Sequence, residues 1–155
     1  MDSSGQSDIA SYTPTVVGPP TAVDDTSSGA YNTAQTEAVL SDDTAAAGTT
    51  LVSSSVKLCK TAAPADVAPN CTLDSLEVAN QGTYSVNVNG SVTFTPLATF
   101  VGAATAVTYS VTDALGQKDS ATYTPTVAPP PAPTATADTS TGAYDVIQTI
   151  APLGN

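Results

Sequence analysis

One stretch of this sequence occurs twice. The pentapeptide YTPTV stands at residues 12–16 and again at residues 123–127, near the two ends of the chain. The match extends upstream, since DSSGQSDIASYTPTV at 2–16 aligns without gaps with DALGQKDSATYTPTV at 113–127, an offset of 111 residues. A repeat of this length corresponds to a whole domain and exceeds the short units of helical or leucine-rich solenoids.

A second pair of matching segments follows the first. TSSGAYNTAQTEAVL at 26–40 aligns with TSTGAYDVIQTIAPL at 139–153, an offset of 113 residues, and the two extra residues fall in a proline-rich link. The chain therefore has the organisation of a segment from a tandem array of similar domains. We expect residues 1–18 to be the end of one module, 19–131 one complete module, and 132–155 the beginning of the next.

Apolar and polar residues alternate along the complete module, which is typical of half-buried strands. The clearest segment is GTYSVNVNGSVTFTP at 82–96, where Asn89-Gly90 predicts a tight type I′ hairpin turn. A second hairpin is predicted at 105–127, turning at residues 113–116. The positions expected to face inward are Tyr84, Val86, Val88, Val92, Phe94, Val107, Tyr109 and Val111, and those expected to face outward in the second hairpin are Thr108, Ser110 and Thr112.

Three shorter segments, at 35–40, 55–60 and 75–79, also have the composition of strands, and no 3.6-residue apolar period persists over the length of a helix. About seven short strands at this spacing predict an all-β fold, an antiparallel Ig-like β-sandwich. The proline clusters at 18–20 and 128–133 predict stiff, extended links between successive sandwiches.

The charge of the chain restricts its partners and its chemistry. Three lysines stand against fourteen acidic residues, for a net charge of −11. Such a surface repels nucleic acid and anionic membranes, because both are bound by clustered basic residues. There is no histidine, so neither a Ser-His-Asp triad nor a Cys-His pair can be assembled. No stretch reaches the roughly 18 apolar residues that span a bilayer, so we expect no direct membrane insertion.

Two segments of the chain match a known pattern. They are GTYSVNVNGSVTFTPLATFVGAATAVTYSVTDALGQKDSATYTPTV at 82–127 and ADTSTGAYDVIQTIAPLGN at 137–155. The residues that carry the match are Gly82, Tyr84, Val92, Phe94, Pro96, Phe100, Gly102, Val107, Tyr109, Asp113, Gly116 and Tyr123. Together they resemble the CshA-type fibril repeat of bacterial fibrillar surface adhesins. The resemblance implies a β-sandwich stalk module without enzymatic activity. The chain departs from the usual pattern at 57–75, where two cysteines and a longer loop are inserted.

Those cysteines, Cys59 and Cys71, are the only two in the chain. In an oxidising exterior such a pair most simply forms a disulfide. Closing so short a loop stabilises a fold by roughly 2–3 kcal/mol. Zinc would need further ligands, and the C-x-x-C spacing of a redox-active pair is absent. The alternative is a pair of free, buried thiols.

Aspartates in separate loops are candidates for a calcium site. Carboxylates gathered at one end of a sandwich can contribute to the about six to eight oxygens that surround Ca²⁺. No segment matches the D-x-D-x-D-G loop, and each aspartate is also explained as a turn former or a solubilising charge. We therefore expect no cofactor, with calcium as the alternative. The candidate residues are Asp24, Asp25, Asp42, Asp43 and Asp113.

Two other chemistries are disfavoured by the positions of the residues they need. A stiffening amide crosslink requires a lysine in the core, but Lys57 is expected to face away from it if Val56 and Leu58 face inward. A glycosidase requires two paired carboxyl groups, and Glu37 and Glu77, the only glutamates, could pair only by coincidence of the fold.

The predicted function is mechanical. The complete module is expected to be one link of a rod that projects a binding domain away from a bacterial cell surface, in an extracellular location. Its expected partners are adjacent repeats of the same protein, or neighbouring chains arranged end to end in a fibre, which would hold the flanking segments. The alternatives are an adhesive or carbohydrate-binding β-sandwich and a subunit of an extracellular filament.

Overall fold

The computed structural model describes residues 4–5, 7, 9–61 and 65–150. Within this part of the chain all regular structure is β, in nine strands and without a helix. The strands are β1 (Asp25–Gly29), β2 (Gln35–Glu37), β3 (Leu51–Leu58), β4 (Ser75–Val78), β5 (Gly82–Val86), β6 (Val92–Pro96), β7 (Gly102–Ala103), β8 (Val107–Asp113) and β9 (Lys118–Val127). None of the described segments is a helix long and apolar enough to cross a membrane.

The strands form two sheets. One has the order β1-β9-β8-β3, with β7 also paired to β9, and the other has the order β2-β6-β5-β4. Every pairing is antiparallel except that of β1 with β9, which is parallel. The predicted sandwich is confirmed, with nine strands rather than about seven. The extra strands were missed because β1 reads DTSSG, without an apolar residue, and β7 has only two residues.

Aromatic residues from both sheets meet in the core. Tyr84 of β5 packs against Phe94 of β6 with ring centroids 4.7 Å apart, and it meets the edge of Tyr123 from the opposite sheet at 5.9 Å. Such pairs contribute about 0.5–1.5 kcal/mol beyond their buried area. The predicted inward residues that are buried are Tyr84, Val92, Phe94, Val107, Tyr109 and Val111.

The β5–β6 hairpin differs from its prediction. Val88 is 99 % exposed, since it lies in the turn and not on the inward face of a strand. The amide of Asn87 donates to the carbonyl of Ser91, so three residues form the loop. Among them only Gly90 has a positive φ, +85°, so the predicted type I′ turn is wrong. A Cβ at Gly90 would lie 2.7 Å from the carbonyl oxygen of Ser53, which explains the glycine.

The β8–β9 hairpin turns at residues 113–116, as predicted, and Gly116 supplies its positive φ of +82°. Ser110, expected to face outward, is buried although it lies in register with the outward-facing Lys57. This small residue sits in the middle of its sheet, in register with Lys57 of β3 on one side and Ser120 of β9 on the other. Its neighbours therefore cover it on the outer face.

The chain enters and leaves the sandwich at opposite ends. The carbonyl of Val17 accepts a hydrogen bond from the side-chain amide of Gln117, which lies in the β8–β9 turn. The exit follows Val127, at the far end of the ten-residue strand β9. At about 3.4 Å per residue the strand is about 34 Å long. Beyond the exit, residues 128–150 are exposed and form no strand.

Candidate functional site

A disulfide joins Cys59 to Cys71. Cys59 directly follows β3, and both residues are buried. Next to the disulfide, Leu58 and Leu73 exchange two backbone hydrogen bonds of 2.8 and 2.9 Å. The amide of Cys59 donates to the carbonyl of Thr108 on β8. The inserted loop is thus attached to the sandwich at its base.

Asp66 organises the inserted loop, a role that the sequence did not reveal. Its Oδ2 accepts hydrogen bonds from the amides of Lys60 and Thr72 and from the Thr72 hydroxyl, at 2.9–3.0 Å. The hydrogen bond from Lys60 is the main reason why the pKa of Asp66 is lowered. The Asp66 carboxylate therefore links the residue after Cys59 to the residue after Cys71 by hydrogen bonds, beside the disulfide.

A second group of polar side chains, the Asp25–Asp43–Tyr109 cluster, lies under the start of β1. The hydroxyl oxygen of Tyr109 is 3.0 Å from the carbonyl oxygens of Val23 and Val39 and 3.1 Å from both carboxylate oxygens of Asp43. The amide of Val23 also donates to Oδ1 of Asp43 at 2.8 Å. The cluster joins the first strand, the loop after β2 and the central strand β8.

Asp25 completes this cluster and is the least satisfied of its members. It is 8 % exposed, and its Oδ2 has no hydrogen-bond partner among the described residues. Burial raises its pKa to about 7, a hydrogen bond with Tyr109 opposes the rise, and the negative charges of Asp42 and Asp43 add to it. Burial likewise raises the pKa of Asp43, and it raises that of Tyr109 together with the charges of Asp43 and Asp25.

The structure separates the five candidate aspartates. Asp25 and Asp43 are brought together, whereas Asp42 is exposed beside them. Asp24 points to β9, where its Oδ1 accepts from the amide and the hydroxyl of Thr122, which lowers its pKa. Asp113 caps the β8–β9 turn.

The carboxylate of Asp113 accepts from the amides of Leu115 and Gln117 through Oδ1, while its Oδ2 is buried without a partner among the described residues. Within the same part of the chain, no group of three or more His, Cys, Asp or Glu side chains is arranged to hold a metal ion. A cation at the Asp25–Asp43–Tyr109 cluster would therefore need backbone oxygens as well.

The residues considered for other chemistry lie apart. Lys57 faces away from the core and pairs with Asp74. Glu37 is on β2 and Glu77 on β4, the two outer strands of the four-stranded sheet. Three strand spacings of about 4.8 Å separate their backbones by about 14 Å. The carboxyl pairs of glycosidases lie about 5–9.5 Å apart, so the fold does not pair these glutamates.

Sequence reasoning missed the polar contacts that attach β1 to β9. The Ser27 hydroxyl donates to Oε1 of Gln35 at 2.6 Å, and the side-chain amide of Gln35 donates to the carbonyl of Thr126 at 2.9 Å. The sequence does carry a signal for these contacts, since Ser27 and Gln35 are among the residues retained in the second copy, at Ser140 and Gln148.

The fold and its sites define a class of protein: a β-sandwich module with chain ends at opposite poles and a disulfide-closed loop. A family model for the surface adhesin CshA repetitive domain matches residues 18–127, and the chain belongs to this family. The resemblance read from the sequence is thereby confirmed. Repeats of this family are typically non-catalytic, and membership suggests an extracellular or cell-surface location. A search of curated proteins found no match.

Proposed function

We propose that this chain is a structural stalk repeat of a bacterial cell-surface adhesin, a rod-like spacer that projects a binding domain from the cell. The observation that carries the proposal is the placement of the chain ends at opposite poles of the sandwich, along the ten-residue strand β9. Modules connected in this way add their lengths, whereas modules with adjacent ends would fold back on one another.

The flanking segments support a series of like modules. Ser140 donates to Gln148 at 2.6 Å, the distance found between Ser27 and Gln35 in the complete module. Asp145 has a φ of +63°, close to the +52° of its counterpart Asn32. The local geometry of the module's first turn is therefore repeated after the proline-rich link. Adjacent repeats of the same protein, or neighbouring chains placed end to end, are the partners this geometry fits.

The link and the charge also fit a spacer. The segment APPPAP at 128–133 is exposed, and proline-rich chains of this kind are semi-rigid. The net charge of −11 makes neighbouring rods repel each other. Both properties favour an extended, unbundled stalk.

Among the described residues of the sandwich, aromatic side chains do not form the exposed platform that a sugar-binding module would need. Tyr84, Phe94, Tyr109 and Tyr123 are buried in the core. Tyr12 is 88 % exposed, but it is the counterpart of buried Tyr123 in the alignment of the two copies. We therefore rank spacing above carbohydrate binding.

Small-angle scattering on proteins of one, two and four tandem repeats tests the proposal. The maximum dimension should grow in proportion to the number of repeats, by at least about 34 Å for each, the length of the long strand. Replacement of residues 128–133 by a Gly/Ser segment of equal length is the control and should shorten the multi-repeat proteins. Growth with the square root of repeat number in the unaltered protein would contradict a rod, and specific binding on a glycan array would favour the adhesive alternative.

A further inference from the structure

The oxygens around Tyr109 outnumber the protons available to them. Its hydroxyl lies 3.0–3.1 Å from four oxygens, two from backbone carbonyls and two from the Asp43 carboxylate. A tyrosine hydroxyl has one proton and can satisfy only one of them. These separations also exceed the about 2.7–2.8 Å that is usual for O–H···O hydrogen bonds. The arrangement is therefore poorly explained as a set of hydrogen bonds to the hydroxyl.

The same distances fit the ligands of a calcium ion. Oxygens held about 2.4 Å from Ca²⁺ and separated by angles of about 72–90° lie about 2.8–3.4 Å from each other. The separations of 3.0–3.1 Å between the Tyr109 hydroxyl and its four oxygen neighbours fall inside this interval. Carbonyls, a carboxylate and a hydroxyl are all hard oxygen donors, which calcium prefers, and both oxygens of the Asp43 carboxylate lie 3.1 Å from the Tyr109 hydroxyl.

An independent observation, at Asp25, also points to a cation ligand. Asp25 is more than nine-tenths buried, and its Oδ2 has no hydrogen-bond partner among the described residues. A buried carboxylate oxygen without a partner is costly unless a positive charge or a proton neutralises the group. No ion pair from lysine to Asp25 or Asp43 occurs in the described part of the chain, where Lys57 pairs with Asp74.

We propose that the Asp25–Asp43–Tyr109 cluster, with the carbonyl oxygens of Val23 and Val39, is a calcium site. Its ligands come from the start of the module, from the loop after β2 and from the central strand β8. Bound calcium would fasten the first strand to the sandwich at the end where the chain enters. Magnesium fits less well, because it demands near-octahedral geometry and retains water, whereas both Asp43 oxygens face the same hydroxyl.

The first test is thermal unfolding of the full chain at pH 8, first in chelator and then with Ca²⁺ or Mg²⁺. Calcium at a hundredfold excess over its Kd should raise the Tm by about 10 °C, and magnesium by much less. Asp42→Asn is the matched control, since it removes an exposed charge beside the cluster, and it should keep the calcium response.

The variant Asp25→Asn separates a ligand role from a structural one. An amide removes the buried negative charge, so this variant should melt at a higher temperature than the unaltered chain in chelator, yet lose most of its response to calcium. A direct readout uses terbium, which replaces calcium in oxygen sites. The chain has no tryptophan, so terbium emission excited through tyrosine should report on Tyr109 and should be quenched by added calcium.

Several outcomes would overturn the proposal. One is a Tm that does not respond to calcium together with no tyrosine-sensitised terbium emission. Another is an Asp25→Asn variant that responds to calcium as strongly as the unaltered chain. A third is stabilisation by acid without any effect of calcium at pH 8, which would mean that protons alone neutralise the cluster. If Asp25→Asn does not fold, the terbium titration of the unaltered chain, with Asp42→Asn beside it, still decides the question.

Discussion

The hydroxyl oxygen of Tyr123 lies 2.8 Å from Oγ of Ser27, and this contact joins the last strand of the sandwich to the first. Because Ser27 donates its own proton to Gln35, the Tyr123 hydroxyl must be the donor to Ser27. Strand β1 contributes no apolar side chain to the core, so its attachment depends on this polar contact and on a parallel ladder of five residue pairs with β9.

The parallel pairing has a mechanical consequence. Tension on the chain pulls β1 toward the end where the chain enters and β9 toward the end where it leaves. Because the strands are parallel and adjacent, this load is directed along the ladder and acts on its hydrogen bonds together. A stalk repeat under tension benefits from such a shear arrangement, since no single bond opens first.

We predict that Tyr123→Phe lowers the free energy of unfolding by about 1 kcal/mol, because it removes one buried hydrogen bond and leaves the ring in the core. Urea denaturation measures the change. Thr36→Val is the control, since it deletes a hydroxyl whose 2.8 Å contact with Thr93 lies on the exposed face, and its effect should be under about 0.5 kcal/mol. Equal effects of the two variants would show that the Tyr123 hydroxyl does not fasten β1.

Removal of the disulfide should also destabilise the module. The double variant Cys59→Ser, Cys71→Ser is expected to lose about 2–3 kcal/mol, since the unfolded chain regains the freedom of the closed loop. Reductant added to the unaltered protein should lower its Tm to near that of the double variant. It should leave the Tm of the double variant unchanged. An unaltered protein that melts at the same temperature with and without reductant would refute a stabilising role for this pair.

The stability of the module should depend on pH in chelator. Burial raises the pKa of Asp25 from 3.8 to about 7, so between these values the folded state binds more protons than the unfolded state. The free energy of unfolding should therefore fall as the pH rises from about 4 to 7, by up to about 4 kcal/mol. Below this window, protonation of Asp24 and Asp66, whose pKa values are lowered by hydrogen bonds, should reduce stability again.

The check is a series of urea denaturations between pH 3 and 9. Asp25→Asn should remove most of the decline between pH 4 and 7 and retain the loss at low pH. Asp42→Asn serves as the control for a general charge effect, and it should leave most of the decline in place. If the stability of Asp25→Asn fell by the same amount between pH 4 and 7, the proton lost from the folded state in this window would belong to another group.

The sequence predicted the features that follow from local alternation and turn chemistry. The β8–β9 hairpin, with Val107, Tyr109 and Val111 inward, could be read directly because its apolar residues repeat with period two. Strand β1 could not, because DTSSG forms a strand only by pairing with β9, about a hundred residues later. The sequence predicts Val88 on the inward face because the alternation of apolar residues continues into the turn, where the backbone no longer has strand geometry.

The candidate site was predictable only in part. The sequence predicts Asp25 and Asp43 as candidates, but it predicts their partner Tyr109 only as an inward-facing core residue. A tyrosine at an inward strand position buries a hydroxyl, and the polar atoms that meet it come from distant segments. The local sequence pattern therefore indicates which acidic residues are candidate ligands, while the tertiary fold determines which of them lie close together.

Turn geometry is more local than strand structure, and the flanking segments illustrate this. Gly5 has a φ of +78°, close to the +82° of its counterpart Gly116, although residues 9–16 form no strand. The turns are thus set by neighbouring residues, whereas YTPTV becomes part of a strand at 123–127 only beside β1 and β8. The same five residues at 12–16 are exposed.

Truncation tests the module boundaries. We predict that residues 19–131 alone fold with nearly the Tm of the full chain, because residues 9–16 and 132–150 are exposed and bury little apolar surface. The shortened chain should also lose any tendency to form end-to-end filaments, measured by electron microscopy. A chain of residues 26–131 is the control and should be strongly destabilised, since it lacks Asp24, Asp25 and the Thr21–Thr44 bridge. If residues 19–131 fail to fold, the flanks belong to the central sandwich, and the boundaries inferred from the repeat are wrong.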